Sequence, residues 1–251
     1  MKNESFLKQL CRIAQDAGAA ILQHYQQPLD IECKEDNSPV TQADLAAHQV
    51  IVESLRPLTP DIPVISEESK SHAISDVSKP FWLVDPLDGT KSFIRGKGEF
   101  TVNIGVIEDG IPTIGVIYVP VERMMYYAAV GLGAWRQKDG GLAEKISTRL
   151  LPEDGYAAVV SHSHLDPQTQ AFLDDMTIAS RVSAASSLKF CRVAEGAADI
   201  YPRFGPTMEW DTAAGHAIVV AAGGRMQKPD GSVFNYGKEP LLNGPFIVYG
   251  R

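Results

Sequence analysis

The stretch Trp82-Leu-Val-Asp-Pro-Leu-Asp-Gly-Thr-Lys-Ser-Phe93 decides the fold. Its apolar start, Trp82 to Val84, reads as a buried strand that ends in Asp85, and Pro86 and Gly89 enforce a tight turn that holds Asp88. Two carboxylates therefore converge at one strand end. Upstream, Val64-Ile-Ser-Glu-Glu-Ser69 finishes another short strand with Glu67 and Glu68. Downstream, Met208-Glu-Trp-Asp-Thr-Ala-Ala-Gly-His-Ala217 sets Asp211 at the start of an Ala-rich helix. Strand ends and helix starts are where open α/β sheets gather ligand sites.

Around this centre the hydrophobic periodicity predicts an α/β chain. From Glu4 to Gln26 the positions Leu7, Leu10, Ile13, Ala17, Ile21 and Tyr25 have the spacing of an amphipathic helix. A second helix runs from Gln42 to Leu55, with Thr41 and Asp44 forming a capping-box-like start. Apolar runs at Ile62–Ile65, Trp82–Val84, Thr101–Ile107, Thr113–Val119 and Met124–Ala129, separated by turn residues, predict strands of one sheet. Beyond about Lys145 the alternation shortens, giving a strand at Ala157–Val160 and helices near Gln168–Met176, Ser187–Gly196 and after Trp210. We expect a single domain of two lobes, residues 1–145 and 146–251, sharing an interface.

Bulk properties exclude several classes. The 251 residues carry a net charge of −8, with no basic stripe of the kind that holds nucleic-acid backbones. The start, MKNESFLKQL, lacks a targeting pattern, and no apolar run is long enough to span a bilayer, so a cytoplasmic protein is expected, with a peripheral seat on the inner membrane left open. Cys11, Cys33 and Cys191 are odd in number and widely spaced, which fits neither a disulfide framework nor a zinc site. If so acidic a chain acts on a phosphorylated molecule, its site must be made positive locally, by metal ions or by a few placed Lys and Arg.

Scattered carboxylates without His or Cys spacing suit magnesium, which demands hard oxygen ligands, far better than zinc. Clustered in a cleft of low dielectric, they repel one another unless a cation sits between them. Singly, each has a plainer reading: Asp88 as a turn former, Asp44 and Asp211 as helix-start acids, Glu67 and Glu68 as a solvated pair.

In combination the motifs resemble the inositol monophosphatase superfamily: Asp85-Pro-Leu-Asp-Gly-Thr90, preceded by Ser66-Glu-Glu-Ser69 and followed by Trp210-Asp-Thr-Ala-Ala-Gly215. The resemblance extends over nearly the whole chain, from Pro39-Val-Thr-Gln-Ala-Asp44 onward. A finer similarity, to bacterial 3'(2'),5'-bisphosphate nucleotidases, rests on Gly98-Glu-Phe-Thr-Val-Asn-Ile104, Ser186-Ser-Leu-Lys-Phe-Cys191 and the run from Tyr201 to Asp211. One departure is Ser66, where many relatives have Gly. The resemblance implies the layered α/β/α/β/α sandwich of the inositol monophosphatase and fructose-1,6-bisphosphatase type. It also implies magnesium-dependent removal of the 3'-phosphate from adenosine 3',5'-bisphosphate, giving AMP and recycling a by-product of sulfate assimilation, in a lithium-sensitive monomer or homodimer.

Residue by residue, the resemblance makes Glu67, Asp85 and the Leu87 carbonyl ligands of one magnesium ion, and Asp85, Asp88 and Asp211 ligands of a second. A third, weaker ion would be positioned by Asp44, and Thr90 would orient the attacking water with Glu67 or Asp44. Two ions roughly 4 Å apart stabilise both the attacking and the leaving oxygen of an in-line displacement. The N–H groups of Gly89 and Thr90 are candidates for phosphate oxygens. Ser186 and Lys189 resemble the family's contacts to the phosphate that stays, with Arg203 a further candidate, although Lys189 also reads as an ordinary solvated helix residue. His162 and His164 receive no role. The rival readings are an inositol monophosphatase or broad sugar phosphatase on the same metal site, and a non-catalytic phosphate-ligand sensor. A haloacid-dehalogenase mechanism needs D-x-D-G-T, whereas the spacing here is D-x-x-D-G-T.

Overall fold

The computed structural model describes residues 3–27, 31–33, 39–161 and 165–251. His162, His164 and the side chain of Cys33 lie outside the described residues. The chain opens with α1 (Glu4–His24), β1 (Ile31–Cys33), β2 (Pro39–Thr41) and α2 (Gln42–Leu58). There follow β3 (Val64–Ser66), β4 (Phe81–Asp88), α3 (Thr90–Ile94), β5 (Thr101–Glu108), β6 (Ile111–Val119), β7 (Met124–Ala129), β8 (Gly133–Lys138) and β9 (Glu144–Ile146). Strands β3 to β9 lie side by side in chain order as a seven-stranded sheet, β3 parallel to β4 and the rest antiparallel.

The remainder supplies β10 (Tyr156–Ser161), α4 (Pro167–Asp174), β11 (Ile178–Ala184), α5 (Leu188–Ala194), β12 (Ile200–Arg203), β13 (Thr207–Met208), α6 (Glu209–Ala221), β14 (Arg225–Gln227), β15 (Leu242–Asn243) and β16 (Phe246–Tyr249). A five-stranded mixed sheet has the order β11-β10-β12-β16-β14.

Both faces of the large sheet are covered, which is why its central strands read as continuous apolar runs rather than alternations. On β4, Trp82 and Val84 join the cluster built with Leu10, Ala14, Ile51 and Leu55 of α1 and α2. Phe81 and Leu83 turn to the opposite face, where Ala213, Ala214 and Ile218 of α6 and Leu188 and Cys191 of α5 pack, followed by Phe246 and Val248 of the small sheet. The outer face of that sheet is closed by Leu173 of α4 against Ala158, Ile200 and Ile247. The layers are thus α1/α2, large sheet, α5/α6, small sheet, α4, the α/β/α/β/α sandwich. Helix α6 presses so close to β6 that a Cβ at Gly115 would collide with the Ala214 carbonyl. Small residues on both sides let α6 lie flat on the sheet and bring its first turn beside the end of β4.

Candidate active site

The site forms where β4 stops being regular. Between Asp85, opposite Asn103, and Asp88, opposite Thr101, the register with β5 slips, and Pro86 sits in that bulge. A bulge is where a strand can hold Pro, because no ladder donor is needed there. Gly89 then adopts φ +96°, a conformation that other residues avoid, and a Cβ at this position would strike Ser186 Oγ. That hydroxyl donates to the Asp88 carbonyl at 3.0 Å, so the turn and the loop before α5 are locked together.

Glu67 arrives from β3, Asp85 and Asp88 from β4, Asp44 from the first turn of α2, and Asp211 from the first turn of α6. Asp44 and Asp85 are each 2% exposed, while Glu67, Asp88 and Asp211 are half-buried. Burial pushes the Asp85 carboxyl well above the usual carboxylate range, and the charges of Glu67, Asp88, Asp211 and Asp44 push it further. Asp211 is raised in the same way, by burial and then by Asp88. Asp88 is raised by burial against the pull of Lys189 and of the Ser187 N–H. Asp44 is raised by burial, opposed by its bonds from Thr41 and Thr90.

Backbone N–H groups hold four of these carboxyls by one oxygen each. Asp44 Oδ2 accepts from Thr41 N at 2.8 Å, Asp85 Oδ1 from Leu87 N at 3.0 Å, Asp88 Oδ2 from Ser187 N at 2.7 Å and Asp211 Oδ2 from Met208 N at 2.7 Å. As the side chains stand, no three His, Cys or acidic groups among the described residues make a ready ligand cluster. The chemistry of the donor set still fits a hard divalent cation: every candidate ligand atom is oxygen, and a carboxylate anchored through one oxygen keeps the other as an acceptor. Mutual repulsion in a buried space is what such a cation would relieve.

Asp44 serves as a helix cap and reaches Thr90 as well. Its Oδ2 completes the capping box with Thr41, while Oδ1 accepts the Thr90 hydroxyl at 3.1 Å. Thr90 Oγ1 also lies 3.2 Å from the Leu87 carbonyl.

Beside the acids lies a cleft of about 330 Å³, whose lining includes Asp88, Gly89 and Asp211 together with Ser186, Lys189 and Arg203. Lys189 is no solvated helix residue. It is 7% exposed, its Nζ lies 5.6 Å from the centre of the Tyr201 ring, and burial lowers its pKa to about 8 against the opposing attraction of Asp88. Arg203 Nε donates to the Gly205 carbonyl at 3.2 Å, which curls the side chain at the rim. Lys91 and Lys97 also line the cleft. Sequence reasoning gave them no part, although Lys91 follows Thr90 inside the deciding motif. A buried polar support behind Asp88 was missed as well: Ser187 Oγ donates to Asn103 Oδ1 at 2.7 Å, and Asn103 Nδ2 lies 3.4 Å from Asp88 Oδ2. Asn103 stands opposite Asp85 on β5, so sheet pairing was the signal for it.

A family model described as the inositol monophosphatase family matches residues 2–247. The chain belongs to that family. Among curated proteins it is 49% identical to the 3'(2'),5'-bisphosphate nucleotidase CysQ of Salmonella typhimurium, the match covering 96% of this chain and 98% of that one. The protein of the same name from Haemophilus influenzae is 33% identical, with 99% and 94% covered. A solved structure of CysQ from Bacteroides thetaiotaomicron, a bacterial member of the same family, has a TM-score of 0.84 at 40% identity, covering 99% of this chain and 98% of its own. Among the described residues no helix is long and apolar enough to cross a membrane.

Proposed function

We infer that this chain is a magnesium-dependent 3'(2'),5'-bisphosphate nucleotidase that hydrolyses the 3'-phosphate of adenosine 3',5'-bisphosphate to AMP and phosphate. The observation that carries the reading is one cleft that Asp88 and Asp211, members of a mutually repelling set of acids, share with Lys189 and Arg203, in a chain similar to a CysQ nucleotidase over 96% of its length. Acids able to hold metal beside cationic side chains suit a substrate with two phosphates, one to be cleaved and one to be held.

On this reading Glu67, Asp85 and the Leu87 carbonyl would hold one magnesium ion, and Asp85, Asp88 and Asp211 a second, with Asp44 near a third. Magnesium, when bound, supplies a Lewis acid that neutralises charge on the phosphoryl oxygens and makes a water more acidic. The chain's own groups do the orienting. The Thr90 hydroxyl, its proton directed to Asp44, offers its oxygen to a proton of the attacking water, and Glu67 offers a carboxylate to the other. Water attacks phosphorus directly, so no covalent enzyme intermediate is needed. Ser186, Lys189 and Arg203 hold the phosphate that remains on the nucleoside. The lobe of residues 1–145 contributes most of the metal ligands, and that of 146–251 contributes Asp211 and the phosphate contacts.

The test is phosphate release from adenosine 3',5'-bisphosphate and from inositol 1-phosphate at equal concentration, with magnesium and with chelator. Release that needs magnesium and strongly prefers the nucleotide is expected. A preference for inositol 1-phosphate would overturn the roles of Ser186, Lys189 and Arg203, and magnesium-independent release would overturn the metal assignment.

A further inference from the structure

The backbone of Glu67 is held from both sides. Its N–H donates to the Val84 carbonyl at 3.0 Å, continuing the parallel pairing of β3 on β4 past Ser66. Its carbonyl lies 3.2 Å from Nε2 of His72, and the same nitrogen lies 3.0 Å from the Ser66 carbonyl. Carbonyls only accept, so Nε2 carries a proton and donates to the pair. The segment from Glu67 to Pro80 contains neither helix nor strand, and no sheet ladder sets its path. Its own turn is closed by the Ser69 N–H on the Ser66 carbonyl at 2.9 Å and by Ser69 Oγ on the Ser66 N–H at 3.2 Å. Ser66 Oγ in turn meets His48 Nδ1 at 2.8 Å.

The other side of the His72 ring rests on Trp210, with ring centroids 4.8 Å apart and planes inclined by 46°. Trp210 is 5% exposed and immediately precedes Asp211 in α6. His72 therefore touches the backbone of one acid and the neighbour of another, the first delivered by β3 and the second by α6. The imidazole thus bridges the Glu67 arm and the Asp211 arm.

We propose that His72 is a positioning residue for the acid constellation, fixing the reach of Glu67 and its separation from Asp211 through the Ser66 and Glu67 carbonyls and the Trp210 ring. The proposal rests on the reading that Glu67 and Asp211 are magnesium ligands. Groups that orient metal ligands from behind alter metal affinity or activity by roughly 10- to 100-fold when removed. Because His72 acts on the backbone of Glu67 rather than on its carboxylate, the lower end of that range is expected.

The experiment is calorimetric titration of magnesium into the metal-free full-length protein and into His72→Phe, His72→Gln and Glu67→Gln, with steady-state kinetics and melting temperatures in chelator for each. Phe keeps a ring against Trp210 but removes the donor, whereas Gln keeps a donor without the ring. His72→Phe should bind magnesium about 10-fold more weakly, with a lower kcat, a KM for the bisphosphate close to the parent's and an unchanged melting temperature in chelator. His72→Gln should recover most of the affinity. Parent-like magnesium binding in His72→Phe would overturn the proposal. So would equal impairment of the two His72 variants accompanied by equal loss of metal-free melting temperature, which would make His72 a loop anchor and nothing more. Glu67→Gln separates the two levels: if it binds magnesium like the parent, the metal assignment itself falls, whatever the His72 variants do.

Discussion

Two sets of buried carboxylates in this molecule meet the same desolvation and resolve it differently. Asp199, 3% exposed, accepts Arg149 Nε at 2.7 Å and Arg149 Nη2 at 2.8 Å, and the Ala157 N–H at 2.7 Å. Burial alone would raise its pKa, but these donors bring it below the ordinary value. Glu195 is likewise met by Arg136, Arg192 and the Tyr126 hydroxyl. Asp85 has instead only other acids among the charges acting on it, and Asp211 is raised by burial and by Asp88 and Glu67 despite Arg203, so both are pushed well up. An acid neutralised within the chain serves the fold. A group of acids left to repel one another serves a cation from solution, and costs the metal-free protein stability.

The sharpest way to break that comparison is Asp88→Asn. Turnover of the bisphosphate should fall on the order of a thousandfold or more, the scale of losing a group that stabilises transition-state charge. The metal-free protein should melt no lower than the parent, because one member of the repelling set has gone. A variant that kept its activity would remove Asp88 from the site, and one that melted much lower in chelator would move it to the structural class.

Lys189→Met tests the cationic side chains of the same cleft. Hydrogen bonds to charged groups contribute about 1.5–3 kcal/mol, so KM for the bisphosphate should rise roughly 10- to 100-fold while kcat changes less. An equal fall in kcat with KM unaltered would place Lys189 in the chemistry instead. Asp199→Asn should show the structural pattern. We expect a loss of about 2 kcal/mol, discounted because Arg149 is 41% exposed, a melting temperature lower by about 4–8 °C, and unchanged kcat and KM at 25 °C.

The legibility of these features follows from where their causes lie. The strands of the large sheet from β4 to β7 show in the sequence because helices cover both faces and demand unbroken apolar runs. Strands β8, Gly-Ala-Trp-Arg-Gln-Lys, and β9, Glu-Lys-Ile, do not, since they sit at the margin of that sheet with charged, partly exposed side chains. Strand β11 is hidden for the same reason at the edge of the small sheet, and β12 because Pro202 interrupts its pattern. At the site, Asp85, Asp88 and Gly89 belong to one local turn and can be read together. The burial of Lys189 cannot, because it depends on Tyr201 and Asp88 arriving from distant strands. Nor can the buried contact of Asn103 with Ser187 behind Asp88, two residues separated by 84 positions.

His216 adds a third way of meeting burial, and the smallest effect. It lies in the middle of α6, 5% exposed, with Nδ1 at 3.2 Å from the Tyr236 hydroxyl and its ring packed edge-on against Phe234. Burial lowers its pKa from 6.5 to about 3, so the ring is neutral in the folded protein. The unfolded chain takes up a proton as pH falls below about 6.5, while the folded chain does not until about 3. Stability from this group is therefore complete above 6.5 and declines on acidification by about 1.4 kcal/mol per pH unit within that window. Denaturant unfolding at pH 7 and pH 5.5 should show the parent losing about 1–2 kcal/mol from this source, and His216→Gln should lose that much less over the same interval. The variant starts from a lower stability at pH 7, because a packed ring has been removed, so the comparison is of slopes and not of values. A His216→Gln protein with the parent's acid slope would show that the pH dependence comes from the carboxylates, and would leave the contrast between their two classes to account for all of it.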